Sequence, residues 1–183
     1  ARLIQISTVS VYGSSDETIE ERSSLNPETT YGAFKATAEF LISEVLDLQR
    51  FAIIRLSNLY GPNQKYGLIY YLLRSLKCGD QVYFDNNGEM LRHFLHVEDS
   101  AAIIGQLIMN FQSGIFNVVG PDSYNIKELI ELVEEISDHT VLAHFSAKKP
   151  WEQVSGFDST KFTQTISHPL KNNLSSYLKQ QIA

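Results

Sequence analysis

A helical pattern lies between two short apolar runs near the start of the chain. The apolar runs, residues 3–6 and 51–56, each have the length of a buried strand. Between them, residues 31–49 repeat apolar side chains at helical spacing, forming a stripe of Phe34, Ala38, Leu41, Ile42, Val45 and Leu48. A strand, a helix and a second strand in this order make a βαβ unit, in which the strands are parallel. We therefore predict an α/β fold.

The same alternation continues to the end of the chain. Helices are predicted at residues 68–76, 99–111 with Asp99 as the cap, 125–136, 158–163 and 174–180. Strands are predicted at residues 82–84, from residue 94, at 115–119 as a parallel strand and at 141–145. Asn86-Asn87-Gly88 is predicted to form a turn, and residues 148–156 an exposed connection.

Composition and charge narrow the classes of partner. A chain of 183 residues with 43% hydrophobic and 20% charged residues is ordinary for a globular protein, and its net charge of -6 argues against a general nucleic-acid surface. The single cysteine, Cys78, cannot form an internal disulfide. No leader pattern opens the chain and no apolar run approaches the length of a membrane span. The expectation is a cytoplasmic protein without membrane or nucleic-acid partners.

Tyr31 and Lys35 stand one helical turn apart, so an ammonium could lie beside a phenol. A nearby positive charge favours the phenolate, whose parent phenol has a pKa near ~10. Tyr31 would also follow the capping candidates Thr29 and Thr30, at a helix end where backbone amides favour negative charge. Both fields are predicted to lower the pKa of Tyr31. The alternative is an ordinary exposed helix pair.

Four motifs follow one another along the chain. They are Ser7-Thr8-Val9-Ser10-Val11-Tyr12-Gly13, Pro27-Glu28-Thr29-Thr30-Tyr31-Gly32-Ala33-Phe34-Lys35, Arg55-Leu56-Ser57-Asn58-Leu59-Tyr60-Gly61-Pro62 and Arg92-His93-Phe94-Leu95-His96-Val97-Glu98-Asp99. In this order they resemble the extended short-chain dehydrogenase/reductase family, specifically its NAD-dependent nucleotide-sugar epimerases and dehydratases. The resemblance implies an NAD or NADP cofactor and a nucleotide-diphosphate sugar as substrate.

The resemblance also implies the roles of individual residues. Tyr31 would be the acid/base on a sugar hydroxyl, and Lys35 would lower its pKa and bind the nicotinamide ribose. Thr8 stands where the family has a catalytic Ser or Thr, while Ser7 would support the turn. The alternatives without a catalytic role are that Tyr31 is a packing residue and that Thr8 is an ordinary polar residue at a strand end.

Later motif residues would bind the ligands. Leu56 would present an apolar surface to the nicotinamide, although a core leucine looks the same in sequence. Asn58 would contact the substrate or simply form a loop, and Arg92 would grip the diphosphate or lie solvated at the surface. Arg55 is interpreted as structural, pairing with a carboxylate near its strand end.

The family's glycine-rich dinucleotide turn is absent, because no two of the ten glycines lie closer than six residues apart. The expectation is a C-terminal portion of such an enzyme, with part of a doubly wound parallel (Rossmann) sheet and a small α/β substrate-binding domain. Residues 1–65 and 97–119 would form the partial Rossmann domain, and residues 66–96 and 120–183 the substrate-binding domain.

Departures from the family pattern narrow the chemistry. Val9-Ser10 replaces the Asp-Glu that dehydratases have after the catalytic Thr, which favours epimerisation or reduction over dehydration. His93 replaces the usual Asp after Arg92, and Thr165-Ile166 replaces a common Leu-Gly pair. No metal site is predicted, since His93 and His96 would point to opposite faces of a strand. We expect both histidines to be structural.

Two hypotheses of different class remain open at this point. The chain is either the catalytic and substrate-binding part of an NAD(P)-dependent nucleotide-sugar epimerase or reductase, or a non-redox module that binds a sugar nucleotide or another subunit. The first predicted strand would leave an unpaired apolar edge. We therefore expect a homo-oligomer or pairing through that incomplete edge of the sheet.

Overall fold

A computed structural model describes residues 1–149, 151–166 and 168–182. Its strands are β1 (Leu3–Thr8), β2 (Ser15–Ile19), β3 (Phe51–Leu56), β4 (Asn58–Tyr60), β5 (Val82–Phe84), β6 (Leu91–His96), β7 (Gly114–Val118), β8 (Asp122–Asn125), β9 (Ala143–Phe145) and β10 (Val154–Phe157). Its helices are α1 (Thr30–Val45), α2 (Leu68–Cys78), α3 (Val97–Met109), α4 (Ile126–Ser137), α5 (Thr160–Thr165) and α6 (Leu174–Ile182).

A three-stranded parallel sheet with the order β1-β3-β7 organises the fold. Ile54 and Leu56 of β3 pack on one face of this sheet with Ile103 of α3. Since successive side chains of a strand point to opposite faces, Arg55 points the other way, towards α1. Helices thus cover both faces, and the predicted α/β fold of the Rossmann type is confirmed.

A second hydrophobic cluster lies among the helices that follow β4. It contains buried residues of α2, α4 and α6, of β4 to β6 and of the segment between α4 and β9, namely Tyr60, Ile69, Leu72, Val82, Phe94, Ile126, Leu129, Ile130, Val133, Val141, Leu174 and Leu178. Phe162 and Ile166 pack instead with the central sheet. The proposed division into residues 1–65 and 97–119 against 66–96 and 120–183 therefore stays a prediction.

Within the described residues, no helix is both long enough and apolar enough to span a membrane.

Several short strands were not predicted from the sequence. β2 and β10 pair in parallel, so part of the predicted exposed connection 148–156 belongs to a two-stranded sheet. β4, β6 and β8 form another small sheet, with β6 between the other two strands. Of these strands, only β6 was predicted, and from residue 94 rather than Leu91. The others are short or carry Ser, Asp, Asn and Thr rather than an apolar run, so periodicity did not mark them.

The start of α3 differs from the prediction. His96, not Asp99, is the N-cap, and its ring nitrogen accepts a hydrogen bond from the Glu98 amide. The Asp99 carboxylate is buried and accepts hydrogen bonds from the backbone amides of Lys171 and Asn172. Asp99 therefore holds the segment before α6 instead of capping α3.

The apolar stripe predicted for the first helix is mostly exposed. α1 ends at Val45 rather than near Gln49, and Phe34 and Val45 are 72% and 77% exposed. The buried side of α1 instead carries Gly32 and Glu39. The sheet face below α1 presents Arg55, which requires a carboxylate partner, so the side of the helix that carries Glu39 covers the sheet.

Candidate active site

A cavity of about 400 Å³ opens at the carboxyl ends of β1 and β3. Doubly wound sheets bind ligands at this edge. Five of the predicted site residues line the cavity, namely Thr8, Tyr31, Leu56, Asn58 and Arg92. Lys35 lies beside the cavity rather than in its lining. The structure therefore brings together residues from positions 8 to 92 of the sequence.

Tyr31 reaches the cavity because α1 begins close to the end of β1. The Thr29 hydroxyl caps α1 by accepting a hydrogen bond from the Gly32 amide at 3.1 Å, as the sequence predicted. A Cβ atom at Gly32 would lie 2.6 Å from the carbonyl oxygen of Ser10. The glycine after Tyr31 thus allows the helix to approach the turn that follows Thr8.

The pKa of Tyr31 is raised, contrary to the prediction from sequence. Burial is the main cause, and the negative charge of Glu152 adds to it. The Lys35 ammonium lies 5.8 Å from the centre of the Tyr31 ring and donates a hydrogen bond of 2.8 Å to the Ile6 carbonyl. Lys35 is thus held by β1, and burial, together with the charge of a carboxylate distant in sequence, sets the direction of the pKa shift of Tyr31.

Thr8 ends β1, directly beside Leu56 in the neighbouring strand. Its hydroxyl oxygen accepts a hydrogen bond of 3.2 Å from the Ser10 amide and caps the short 3-10 turn Val9–Val11. The preceding Ser7 side chain points away from this turn and donates to the Glu39 carboxylate. Both residues line the cavity, but the hydroxyl group of Ser7 is engaged by the Glu39 carboxylate.

Arg55 has the structural role that the sequence predicted. Its guanidinium contacts the Glu39 carboxylate at 2.6 Å, and the two side chains are 3% and 4% exposed. Arg55 also donates to the Tyr12 hydroxyl at 2.5 Å, and that hydroxyl donates to Asn117 at 2.7 Å. A buried polar network thus joins α1, β3 and β7 beneath the cavity.

Arg92 lies in the cavity wall, but some of the N–H donors of its guanidinium already bond to backbone oxygens. It donates to the carbonyl oxygens of Glu152 at 2.8 Å and Trp151 at 3.2 Å. Burial lowers its pKa, and the charge of Glu152 opposes this effect. Since a guanidinium has five N–H donors, some remain for a ligand.

Asn58 and Leu56 complete the predicted set. The Asn58 amide donates a hydrogen bond of 3.1 Å to the His93 carbonyl, which joins β4 to β6. Leu56 is 4% exposed and belongs to the hydrophobic cluster of the sheet, while its end contributes to the cavity wall. Both residues therefore have a packing role along with their place in the cavity.

His93 differs from the satisfied histidine that was expected. Its Nε2 atom is buried without a hydrogen-bond partner in the described part of the chain, and its ring lines the cavity against Phe157. Burial, helped by the charge of Arg92, lowers its pKa. His96, by contrast, is buried and caps α3, in agreement with the prediction. No cluster of metal-ligating side chains occurs among the described residues.

Glu152 is the cavity residue that sequence reasoning missed. It comes from the segment before β10, has a positive φ of 56°, and directs its carboxylate to the beginning of α1. Its oxygens accept hydrogen bonds from Thr29 at 2.8 Å and Ser10 at 3.0 Å. Only the pairing of β10 with β2, which the sequence did not indicate, brings Glu152 to this place.

Comparisons with known proteins give one consistent result. Residues 1–126 match the family model described as the NAD dependent epimerase/dehydratase family. The chain is 26% identical over 187 residues to an uncharacterized UDP-glucose epimerase of Bacillus subtilis, covering 97% of this chain and 58% of that protein. It is 30% identical over 131 residues to the dTDP-4-dehydro-6-deoxyglucose reductase of Escherichia coli, covering 68% of this chain and 42% of that protein.

A similar fold occurs in a solved structure. The UDP-glucuronic acid 4-epimerase from Bacillus cereus, in complex with UDP-glucuronic acid and NAD, superimposes with a TM-score of 0.87 at 22% identity. The alignment covers 98% of this chain and 59% of that one. The chain thus spans less than two thirds of the length of these relatives.

Proposed function

Because the chain belongs to the NAD dependent epimerase/dehydratase family, we propose that it supplies the catalytic and sugar-nucleotide-binding part of an enzyme that epimerises or reduces a nucleotide-linked sugar. The reaction would pass through a keto intermediate on the sugar. One observation carries the proposal, namely that Thr8, Tyr31 and Arg92 line a single cavity at the carboxyl edge of the parallel sheet.

Tyr31 and Thr8 would handle the proton of the reacting hydroxyl group. The Tyr31 phenolate removes that proton as the carbonyl forms, and returns it when the carbonyl is reduced. The Thr8 hydroxyl can donate and accept hydrogen bonds at once, so it can hold the reacting oxygen in both states. When bound, NAD or NADP supplies the acceptor and donor of the hydride.

The residues present fit the nicotinamide end of that cofactor. Tyr31 and Lys35 offer a hydroxyl and an ammonium to ribose hydroxyl groups, and Leu56 gives the cavity an apolar wall. The adenine and pyrophosphate end finds no glycine-rich turn in these 183 residues. Arg92 and Asn58, which also line the cavity, would bind the diphosphate of the sugar nucleotide.

Isothermal titration calorimetry tests this assignment directly. We expect the chain to bind UDP-glucose or dTDP-glucose, and to bind NAD far more weakly because the glycine-rich turn is absent. Arg92→Met should weaken sugar-nucleotide binding by about tenfold or more, since a charge-assisted contact to the diphosphate is lost.

Arg74→Met is the matched control for that measurement. Arg74 is exposed, pairs with Asp80 and lies outside the cavity. Its replacement should leave the affinity unchanged, and circular dichroism should show the same fold for both variants. Absence of binding to every nucleotide sugar tried would contradict the proposed function.

A second copy of the chain is the proposed protein partner. In the described residues β1 pairs only with β3, so its other edge is open. The helix α1 packs against β1 and exposes the apolar side chains of Phe34, Leu41 and Val45. An open strand edge next to an apolar helix face favours association, because both are covered when two copies meet.

Light scattering should detect this association. We expect the unmodified chain to be larger than a monomer, and Phe34→Glu together with Val45→Glu to shift it towards the monomer by placing charges in the contact. Met109→Glu, which adds a charge at another exposed apolar position, should leave the mass unchanged. A monodisperse monomer for the unmodified chain would rule out this partner.

A further inference from the structure

Among the described residues that line the cavity of the proposed substrate, one carries a carboxylate. Glu152 lines the cavity together with Thr8, Ser10 and Tyr31. Two hydroxyl groups, those of Ser10 and Thr29, donate to its two oxygens at 3.0 and 2.8 Å. The carboxylate is therefore fixed in orientation, and it retains further lone pairs for a ligand.

Backbone contacts also hold Glu152 in place. Its amide donates to the Glu28 carboxylate at 2.7 Å, and its carbonyl accepts from Arg92 at 2.8 Å. The carboxylate lies at the N-terminal end of α1, where negative charge is favoured. A side chain at a positive φ that is tied on both sides is preorganised, because the surrounding contacts outweigh the strain of that backbone.

We propose that Glu152 selects nucleotide sugars whose hexose is neutral and rejects those whose hexose carries a carboxylate. The inference rests on the proposed function and adds the class of sugar. A neutral hexose presents hydroxyl groups that can donate to the free lone pairs of Glu152. A uronate would place a further negative charge in the cavity that holds the Glu152 carboxylate, and like charges within one site repel.

The cavity offers no compensating cation for a uronate. Among the described lining residues, Arg92 is the only Lys or Arg. Its guanidinium already donates to the Trp151 and Glu152 carbonyl oxygens, and the diphosphate would take its remaining donors. Lys35 lies outside the lining, with its ammonium on the Ile6 carbonyl.

Calorimetry with UDP-glucose and UDP-glucuronic acid tests the proposal, since the two probes differ only in the group on C5 of the sugar. We expect the unmodified chain to bind UDP-glucose about tenfold tighter or more. In Glu152→Gln the difference should shrink to about threefold or less, mainly through stronger binding of the uronate. Glutamine is close in shape and can still hydrogen bond to Ser10 and Thr29.

Glu131→Gln is the matched control. Glu131 is exposed on α4 and does not line the cavity, so this substitution removes the same charge away from the site. It should keep the full preference for UDP-glucose. Two results would overturn the inference and leave the proposed function standing. One is equal affinity of the unmodified chain for the two probes, and the other is an unchanged preference for UDP-glucose in Glu152→Gln. If the unmodified chain binds neither probe, both the inference and the proposed function are overturned. The comparison of the two probes in the unmodified chain does not depend on the folding of any variant.

Discussion

Replacing Glu39 with alanine should destabilise the chain by about 3–5 kcal/mol, because it leaves the Arg55 guanidinium buried without its counter-charge. Arg55 would keep only the Tyr12 hydroxyl and the Glu21 carbonyl as acceptors. Urea denaturation followed by circular dichroism should show the midpoint falling by more than about 1 M. The loss should be visible without any ligand, since the network lies beneath the cavity.

Two controls separate the buried charge from the loss of a side chain. The double replacement Glu39→Leu with Arg55→Met removes both charges at similar volume, and should cost clearly less than Glu39→Ala alone. Asp80→Ala removes the partner of Arg74 in an exposed ion pair and should leave the midpoint nearly unchanged. If Glu39→Ala unfolds at the same urea concentration as the unmodified chain, the network does not stabilise the fold.

The partner of Arg55 illustrates what the sequence could reveal. A strand of apolar residues containing one arginine requires a carboxylate nearby, so the structural role of Arg55 followed from its place in the strand. The identity of that carboxylate did not follow. Glu39 lies on the buried side of the helix, whereas most of the apolar stripe is exposed in the structure. Helical periodicity gives the two faces but does not say which one the sheet covers.

In the candidate site, too, some residues could be predicted from the sequence and others could not. Residues carried by the four motifs, such as Thr8 and Tyr31, were located from the sequence and meet in one cavity. Glu152 was not found, because it lies 121 residues after Tyr31 in a segment with no periodic pattern. Its arrival depends on the register of β10 against β2, a long-range pairing of polar strands. The predicted direction of the Tyr31 pKa shift was wrong mainly because the burial of the phenol was not foreseen, and secondly because the charge of Glu152 was not.

In a gene product that carries dinucleotide-binding residues as well as this chain, Tyr31→Phe should lower kcat by roughly 10²–10⁴-fold, the usual contribution of a positioned acid/base. The ring remains and Tyr31 is 57% exposed, so packing should be nearly unchanged. Steady-state kinetics should show the loss in kcat, while calorimetry should show nearly the same affinity for the nucleotide sugar. Tyr66→Phe, at an exposed position outside the cavity, is the matched control.

The pH profile gives this prediction a readout that a packing role would not produce. Burial and the charge of Glu152 raise the pKa of Tyr31, so the phenolate fraction is small at neutral pH and grows as the pH rises. The rate of sugar oxidation should therefore increase with pH on the alkaline side of neutrality. Glu152→Gln removes a negative charge that raises this pKa, and should move the rise to lower pH. A profile that is flat in the unmodified enzyme, or that Tyr31→Phe leaves unaltered, would remove the phenol from the proton transfer.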